Sequence, residues 1–192
     1  MNIPLNPDSF YHLYNRANGN EQLFISDENY HYFLKRYKQL ICSVADTYAY
    51  CLMPNHFHFL VKIKSRKTLR ELSEFQNDKD IPQLISKRFS NLFSSYAQSY
   101  NKQQGRMGSL FMRGFKRKQV KTEAYFRKLV LYIQFNPIVH GYCSSLNEWK
   151  FCSYKAILSK QKTIIKRKET IAYFDDLENF KFCHLNPPKK MD

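Results

Sequence analysis

Residues 48 to 63 read YAYCLMPNHFHFLVKI, and the alternation within this stretch decides the fold. Successive side chains of a β-strand point to opposite faces, so His56 and His58 share one face while Phe57, Phe59 and Val61 share the other. Residues 47 to 53 and 56 to 63 read as two strands joined by a turn around Pro54-Asn55, a hairpin that carries both histidines on its second strand. Two imidazoles thus project side by side from one sheet surface. Neutral imidazole nitrogen is a good ligand for divalent metals, and two on a rigid strand need only one or two further ligands to make an open site. The triplet alone is too frequent by chance to establish such a site.

Working outward, FYHLYNRA at 10 to 17 alternates as a strand and ANGNEQ at 17 to 22 supplies a turn. His12 in that strand reads as a hydrogen-bonded sheet histidine in preference to a further ligand. Asp27 is placed to cap a helix from 28 to about 45, with Tyr30, Phe33, Leu34, Tyr37 and Ile41 as its apolar stripe. The charged stretch from Lys64 to Asp80 reads as a short exposed helix and loop. A second helix, 81 to about 103, carries Leu84, Ile85, Phe89, Leu92, Phe93 and Tyr96 as core, and Gly105 and Gly108 end it. SLFMRGFKRKQVK, 109 to 121, reads as a last strand with Phe111, Arg113, Phe115 and Arg117 on one side. The order strand, helix, strand, strand, helix, strand predicts an α+β fold of the split βαβ, or ferredoxin-like, kind: an antiparallel sheet with helices packed on one face.

Residues 122 to 141, TEAYFRKLVLYIQFNPIVHG, form a further helical pattern, with Thr122 as N-cap and Glu123 in the first turn. Phe126, Val130 and Ile133 recur at helical spacing as its core stripe; Tyr125, Leu129, Tyr132 and Asn136 lie on a neighbouring face. Tyr132 and Asn136 are i and i+4, so a phenol and an amide oxygen are presented together, with Cβ atoms about 6 Å apart. Gln134 faces elsewhere. This helix must lie beside the strand bearing the histidines. Trp149 to Leu158 completes a body spanning 1–158, and 159–192 reads as a basic linker and a small helical tail with Ile171, Phe174, Leu177 and Phe180 apolar.

These pieces resemble the single-tyrosine HUH transposases of the small insertion-sequence type and the related REP-associated tyrosine transposases. The matching segments are YHLYNR at 11 to 16, LMPNHFHFLV at 52 to 61, GSLFMRGFK at 108 to 116, LYIQFNPIVHGY at 131 to 142 and WKFCSY at 149 to 154, in the family's order and spacing. The resemblance implies cleavage and rejoining of single-stranded, hairpin-flanked DNA through a 5′-phosphotyrosine, assisted by Mg²⁺ or Mn²⁺. It places His56 and His58 as metal ligands, Tyr132 as nucleophile and Asn136 as the amide that completes the metal shell. Relatives occur as homodimers that exchange the tyrosine helix and as monomers acting in cis, and both arrangements stay open. So does a domesticated relative that binds single-stranded DNA or RNA hairpins without cutting.

The residue types suit that chemistry. A phenol with a pKa near 10 attacks poorly when neutral and needs an electrophile already polarised by a Lewis acid. Two imidazoles and one amide are neutral, so they leave a cation's full charge available for phosphate. A hydrolase of another class built on the same H-x-H lacks a nearby Asp or Glu to act as general base.

Charge points to a polyanion. The chain of 192 residues carries 31 Lys and Arg against 16 Asp and Glu, a net +15. Residues 81 to 130 hold eleven Lys or Arg against the single acid Glu123, a net +10, so two thirds of the excess lies between the histidine strand and Tyr132. From that run Arg106, Arg113, Lys116, Arg117, Lys118, Lys121 and Lys128 are assigned to DNA. Five widely spaced cysteines, without a C-x-x-C pair, read as small buried hydrophobes in a reducing compartment. With no long apolar run, no membrane span is expected and the expected location is cytoplasmic.

Overall fold

The computed structural model describes residues 3–188. Its centre is an antiparallel sheet of β1 (Phe10–Arg16), β2 (Ala45–Met53), β3 (His56–Ile63) and β4 (Lys116–Val120), in the order β2-β3-β1-β4. Helix α1 (Asp27–Ile41) joins β1 to β2. After β3 come the short α2 (Arg66–Arg70), a 3₁₀ turn at Asp78–Asp80, and the long α3 (Ile81–Gln104) leading to β4. This is the split βαβ plan expected from the order of elements.

One face of the sheet is the aromatic core. Tyr30, Phe33, Tyr37 and Ile41 fall at spacings of three and four along α1 and are buried. The Tyr37 ring stacks on Phe59 at 4.3 Å, Phe33 meets Phe57 at 5.5 Å, and Phe93 of α3 stacks on Phe57 at 5.4 Å. Period-two alternation sends Phe57 and Phe59 into these helices and therefore turns His56 and His58 to the opposite face. Gly105, in the left-handed region at φ 59°, ends α3, a conformation that suits a residue without Cβ.

The last strand is shorter than its alternation suggests. Regular pairing begins only at Lys116, after Gly114 at φ 73°, and of the preceding residues Phe111 forms an isolated bridge with Ala17. Phe111 and Phe115 are buried, so these rings belong to the core.

Helix α4 (Glu123–Val139) packs across β2 and β3 on the histidine face. Thr122 caps it, its Oγ1 accepting from the Tyr125 N–H at 3.2 Å. Most side chains from Phe126 to Pro137 are buried, because α4 is covered on two sides. The second cover comes from α5 (Ser153–Leu158), α6 (Arg167–Ala172) and α7 (Leu177–Leu185) and the segments between them. Tyr173 stacks on Phe126 at 3.9 Å, Arg127 donates to the Tyr173 carbonyl at 3.2 Å, and His184 of α7 meets Gln134 at 2.5 Å. The same region closes the open edge of β2: the Leu52 N–H donates to the Phe151 carbonyl, the Tyr50 N–H to Ser153 Oγ, and the Lys166 N–H to the Thr47 carbonyl. An unpaired edge strand is a template for aggregation, so this covering serves the whole sheet. Lys189 to Asp192, the end of the expected tail, lie outside the described residues. No helix among the described residues is long and apolar enough to cross a membrane.

Candidate active site

Antiparallel register builds the site from β1 and β3. Tyr14 lies opposite His58, Arg16 opposite His56 and His12 opposite Leu60, so His12, Tyr14, Arg16, His56 and His58 share one face. On β4, Lys118 pairs with His12 and Lys116 with Tyr14, which adds two exposed ammonium groups to that face. Helix α4 brings Tyr132 over this surface. Its ring stands edge-on to His58, centroids 5.4 Å apart, and edge-on to His12 at 6.0 Å. All of these groups come from one chain, and only Lys121 and Thr122 separate β4 from α4.

The hydrogen bonds set which ring nitrogens are free to act. His56 Nδ1 lies 2.7 Å from Asn55 Oδ1, and His56 Nε2 lies 3.3 Å from Asn136 Oδ1. The Asn136 amide is held the right way round by its Nδ2 donating to the Tyr132 carbonyl at 2.9 Å. If His56 carries its proton on Nε2, it donates to Asn136 Oδ1; if it carries it on Nδ1 and donates to Asn55 Oδ1, the lone pairs of His56 Nε2 and Asn136 Oδ1 face each other. A cation between them would relieve that opposition, and 3.3 Å is close to the separation of about 3 Å between neighbouring ligands of a six-coordinate ion with bonds of 2.0–2.1 Å. His58 Nδ1 lies 2.9 Å from His12 Nε2, so His58 Nε2 is the ring nitrogen that this contact leaves unengaged.

Burial keeps these rings neutral. It lowers His12 to about 4, with the Lys118 charge adding to the effect. Burial also holds His58 well below the usual histidine range, helped by its histidine neighbours, and lowers His56, where the Asn136 bond opposes the shift. Neutral imidazoles can ligate without first losing a proton. Among the described residues no group of three or more His, Cys, Asp or Glu side chains is arranged to hold a metal ion. The neutral donors on this face that could hold a divalent cation are His56, His58 and the amide oxygen of Asn136.

Tyr132 divides the surface into two clefts. One, of about 560 Å³, is lined by Arg16, His56, His58, Met112, Lys116 and His140 among others. The other, about 390 Å³, lies between His12, Tyr14, Lys118, Tyr125 and Lys128. Both are open and basic, as an extended polyanion crossing the tyrosine would require.

The seven basic residues expected to meet DNA separate. Lys116, Lys118 and Lys128 line the two clefts, and Lys121 is exposed at the turn into α4. Arg113 is exposed beside a separate groove along α3. Arg117 faces the opposite side of the sheet, opposite Leu13, where it donates to Ser86 Oγ at 2.7 Å and covers the Phe115 ring at 4.6 Å. Arg106 is paired with Glu21 and Asn101, each at 2.6 Å. Two residues that sequence reasoning passed over join the site. His140, whose ring meets His56 at 5.0 Å, extends the i+4 series of Tyr132 and Asn136 by one step. Arg16 follows from the period-two series of His12 and Tyr14.

No protein-family model matches the chain. A curated protein of Haemophilus influenzae, whose name assigns it provisionally to the REP-associated tyrosine transposases, is 23% identical over 114 residues, 57% of this chain and 58% of the relative. The matched region thus spans little more than half the length of that relative. A solved structure of a REP-associated tyrosine transposase bound to a REP hairpin superposes with a TM-score of 0.62 at 12% identity, covering 85% of this chain and 88% of that one. The chain is thus similar to these two proteins, and it shares the fold of the solved one.

Proposed function

We propose that this protein is a strand transferase that cleaves and rejoins single-stranded DNA beside a hairpin, with Tyr132 as nucleophile. The observation that carries this reading is the meeting of Tyr132 with His58 on the same face where His56 Nε2 and Asn136 Oδ1 come within 3.3 Å. The solved relative with this fold carries a REP hairpin, which supports a folded DNA end as the ligand.

A divalent cation, Mg²⁺ or Mn²⁺, held by His56, His58 and Asn136 would act as Lewis acid on the scissile phosphate. Around it, each residue has a task. Tyr132 Oη attacks phosphorus, the P–O3′ bond breaks, and the departing 3′ oxygen ends as a hydroxyl with the proton the phenol gave up. The 5′-phosphate stays on Tyr132 as a diester, so its bond energy is retained for the reverse attack by a new 3′-hydroxyl. Lys116 and Lys118 neutralise flanking phosphates on either side of the tyrosine. Asn136, bonded to the Tyr132 carbonyl one turn back, couples the position of the amide ligand to that of the nucleophile.

The test is to incubate the full chain with Mn²⁺ and a panel of labelled hairpin-flanked oligonucleotides and to map any protein–DNA adduct by mass spectrometry. An adduct on Tyr132 is the expected result. Tight hairpin binding with no adduct across the panel overturns the transferase reading in favour of a non-cutting binder.

A further inference from the structure

We infer that His12 is a positioning residue: its Nε2 accepts a hydrogen bond from His58 Nδ1–H and thereby locks His58 in the tautomer whose Nε2 lone pair faces the site. This rests on the reading of His56, His58 and Asn136 as a cation site and adds to it a residue from a different strand.

The geometry is the 2.9 Å contact between His12 Nε2 and His58 Nδ1 across β1 and β3. The rings lie nearly parallel, 27° apart, with His12 7% and His58 6% exposed. Water therefore has little access to exchange for this bond. A bond between two neutral imidazoles carries one proton and has two mutually exclusive forms. If His12 donates, His58 carries its proton on Nε2 and cannot ligate. If His12 accepts, His58 Nε2 is bare. Metal-bound histidine almost always gives its second N–H to a carboxylate, a carbonyl or water, and that partner sets ring orientation and ligand basicity. Here a buried imidazole occupies the partner's place.

The choice of partner has a chemical consequence. A carboxylate at position 12 would push electron density onto His58 and offset part of a cation's charge. A neutral imidazole orients the ring without doing so, in keeping with a ligand set that is itself uncharged. Tyr14 packs against both rings, tilted at 4.7 Å from His12 and stacked at 5.7 Å from His58. His12 also borders the cleft on the far side of Tyr132, so the same residue lies against nucleophile and ligand.

The experiment has two arms. In the metal-free wild-type chain, nitrogen NMR of the histidine side chains reads the His58 tautomer directly; protonation at Nδ1 is expected, and protonation at Nε2 overturns the inference whatever the protein does to DNA. In the second arm Mn²⁺ affinity is measured by calorimetry for wild type, His12→Gln and His12→Leu. Gln keeps an acceptor at this position and should remain within about threefold of wild type, whereas Leu removes it and should lose about 10- to 100-fold. Equal affinity in wild type and the Leu variant overturns the inference alone. Absence of Mn²⁺ binding in wild type overturns the cation site and the inference together. Should the Leu variant unfold, the tautomer arm and the Gln variant still decide.

Discussion

Tyr132 stands edge-on to His58 with ring centroids 5.4 Å apart, although the two are 74 residues apart in the chain and lie on a helix and a strand that form separately. The relationship depends on α4 lying flat across β2 and β3, which the tail secures from the other side through Tyr173 and His184. Through this packing Tyr132 meets the histidines of its own chain.

Removing only the hydroxyl tests the nucleophile. Tyr132→Phe should abolish the covalent adduct while changing hairpin affinity by less than about threefold, because the ring contacts with His58 and His12 remain. Denaturing gels and a binding titration on one labelled hairpin measure both quantities. Adduct persisting in the Phe variant would move the chemistry to another tyrosine.

Asn136→Ala removes an oxygen that faces His56 Nε2 at 3.3 Å and an amide donor that bonds the Tyr132 carbonyl. Mn²⁺ affinity should fall by about tenfold, ~1.4 kcal/mol, with a stability loss on the order of 1 kcal/mol. Calorimetry against Mn²⁺ and urea denaturation separate the two effects. Unchanged Mn²⁺ affinity would remove the amide from the ligand set.

Charge placement predicts a contrast among residues adjacent in sequence. Lys116→Gln with Lys118→Gln should reduce the slope of log affinity against log salt by about 1.4, two contacts at about 0.7 each for a single strand. Arg117→Gln should leave the slope unchanged and instead cost on the order of 1 kcal/mol of stability, through loss of its contacts with Ser86 and Phe115. A slope that responds to Arg117 and not to the lysines would place the DNA on the opposite face.

His184 gives a pH dependence with a definite sign. It is 4% exposed, and burial lowers it to about 4, only partly opposed by the bond from its Nδ1 to the Phe180 carbonyl. Between pH 6.5 and 4 the unfolded chain binds the proton that folded His184 refuses, so stability present at neutral pH is lost as pH falls through this window. Between pH 7.5 and 4.5 this residue alone should account for on the order of 2 kcal/mol. Urea denaturation of wild type and His184→Gln at both pH values measures it: the variant should lose clearly less on acidification, and an equal loss in both would refute the assignment.

Local periodicity made much of this protein legible in its sequence. The pair His56 and His58 follows from alternation along one strand, the pair Tyr132 and Asn136 from the helical repeat, and the α+β order from the sequence of such patterns. Each depends only on bonds and neighbours within a few residues. Tertiary structure decided the rest, because it depends on register and on which face a neighbouring element covers. Arg117 and Lys118 are adjacent in sequence, yet the pleat sends one toward α3 and the other toward the site. Arg106 reads from the sequence as one more cation of the basic run, and only the fold brings Glu21 and Asn101 within 2.6 Å of it. His12 becomes a partner of His58 only because β1 and β3 pair with Tyr14 opposite His58, an alignment that no local pattern in either strand contains.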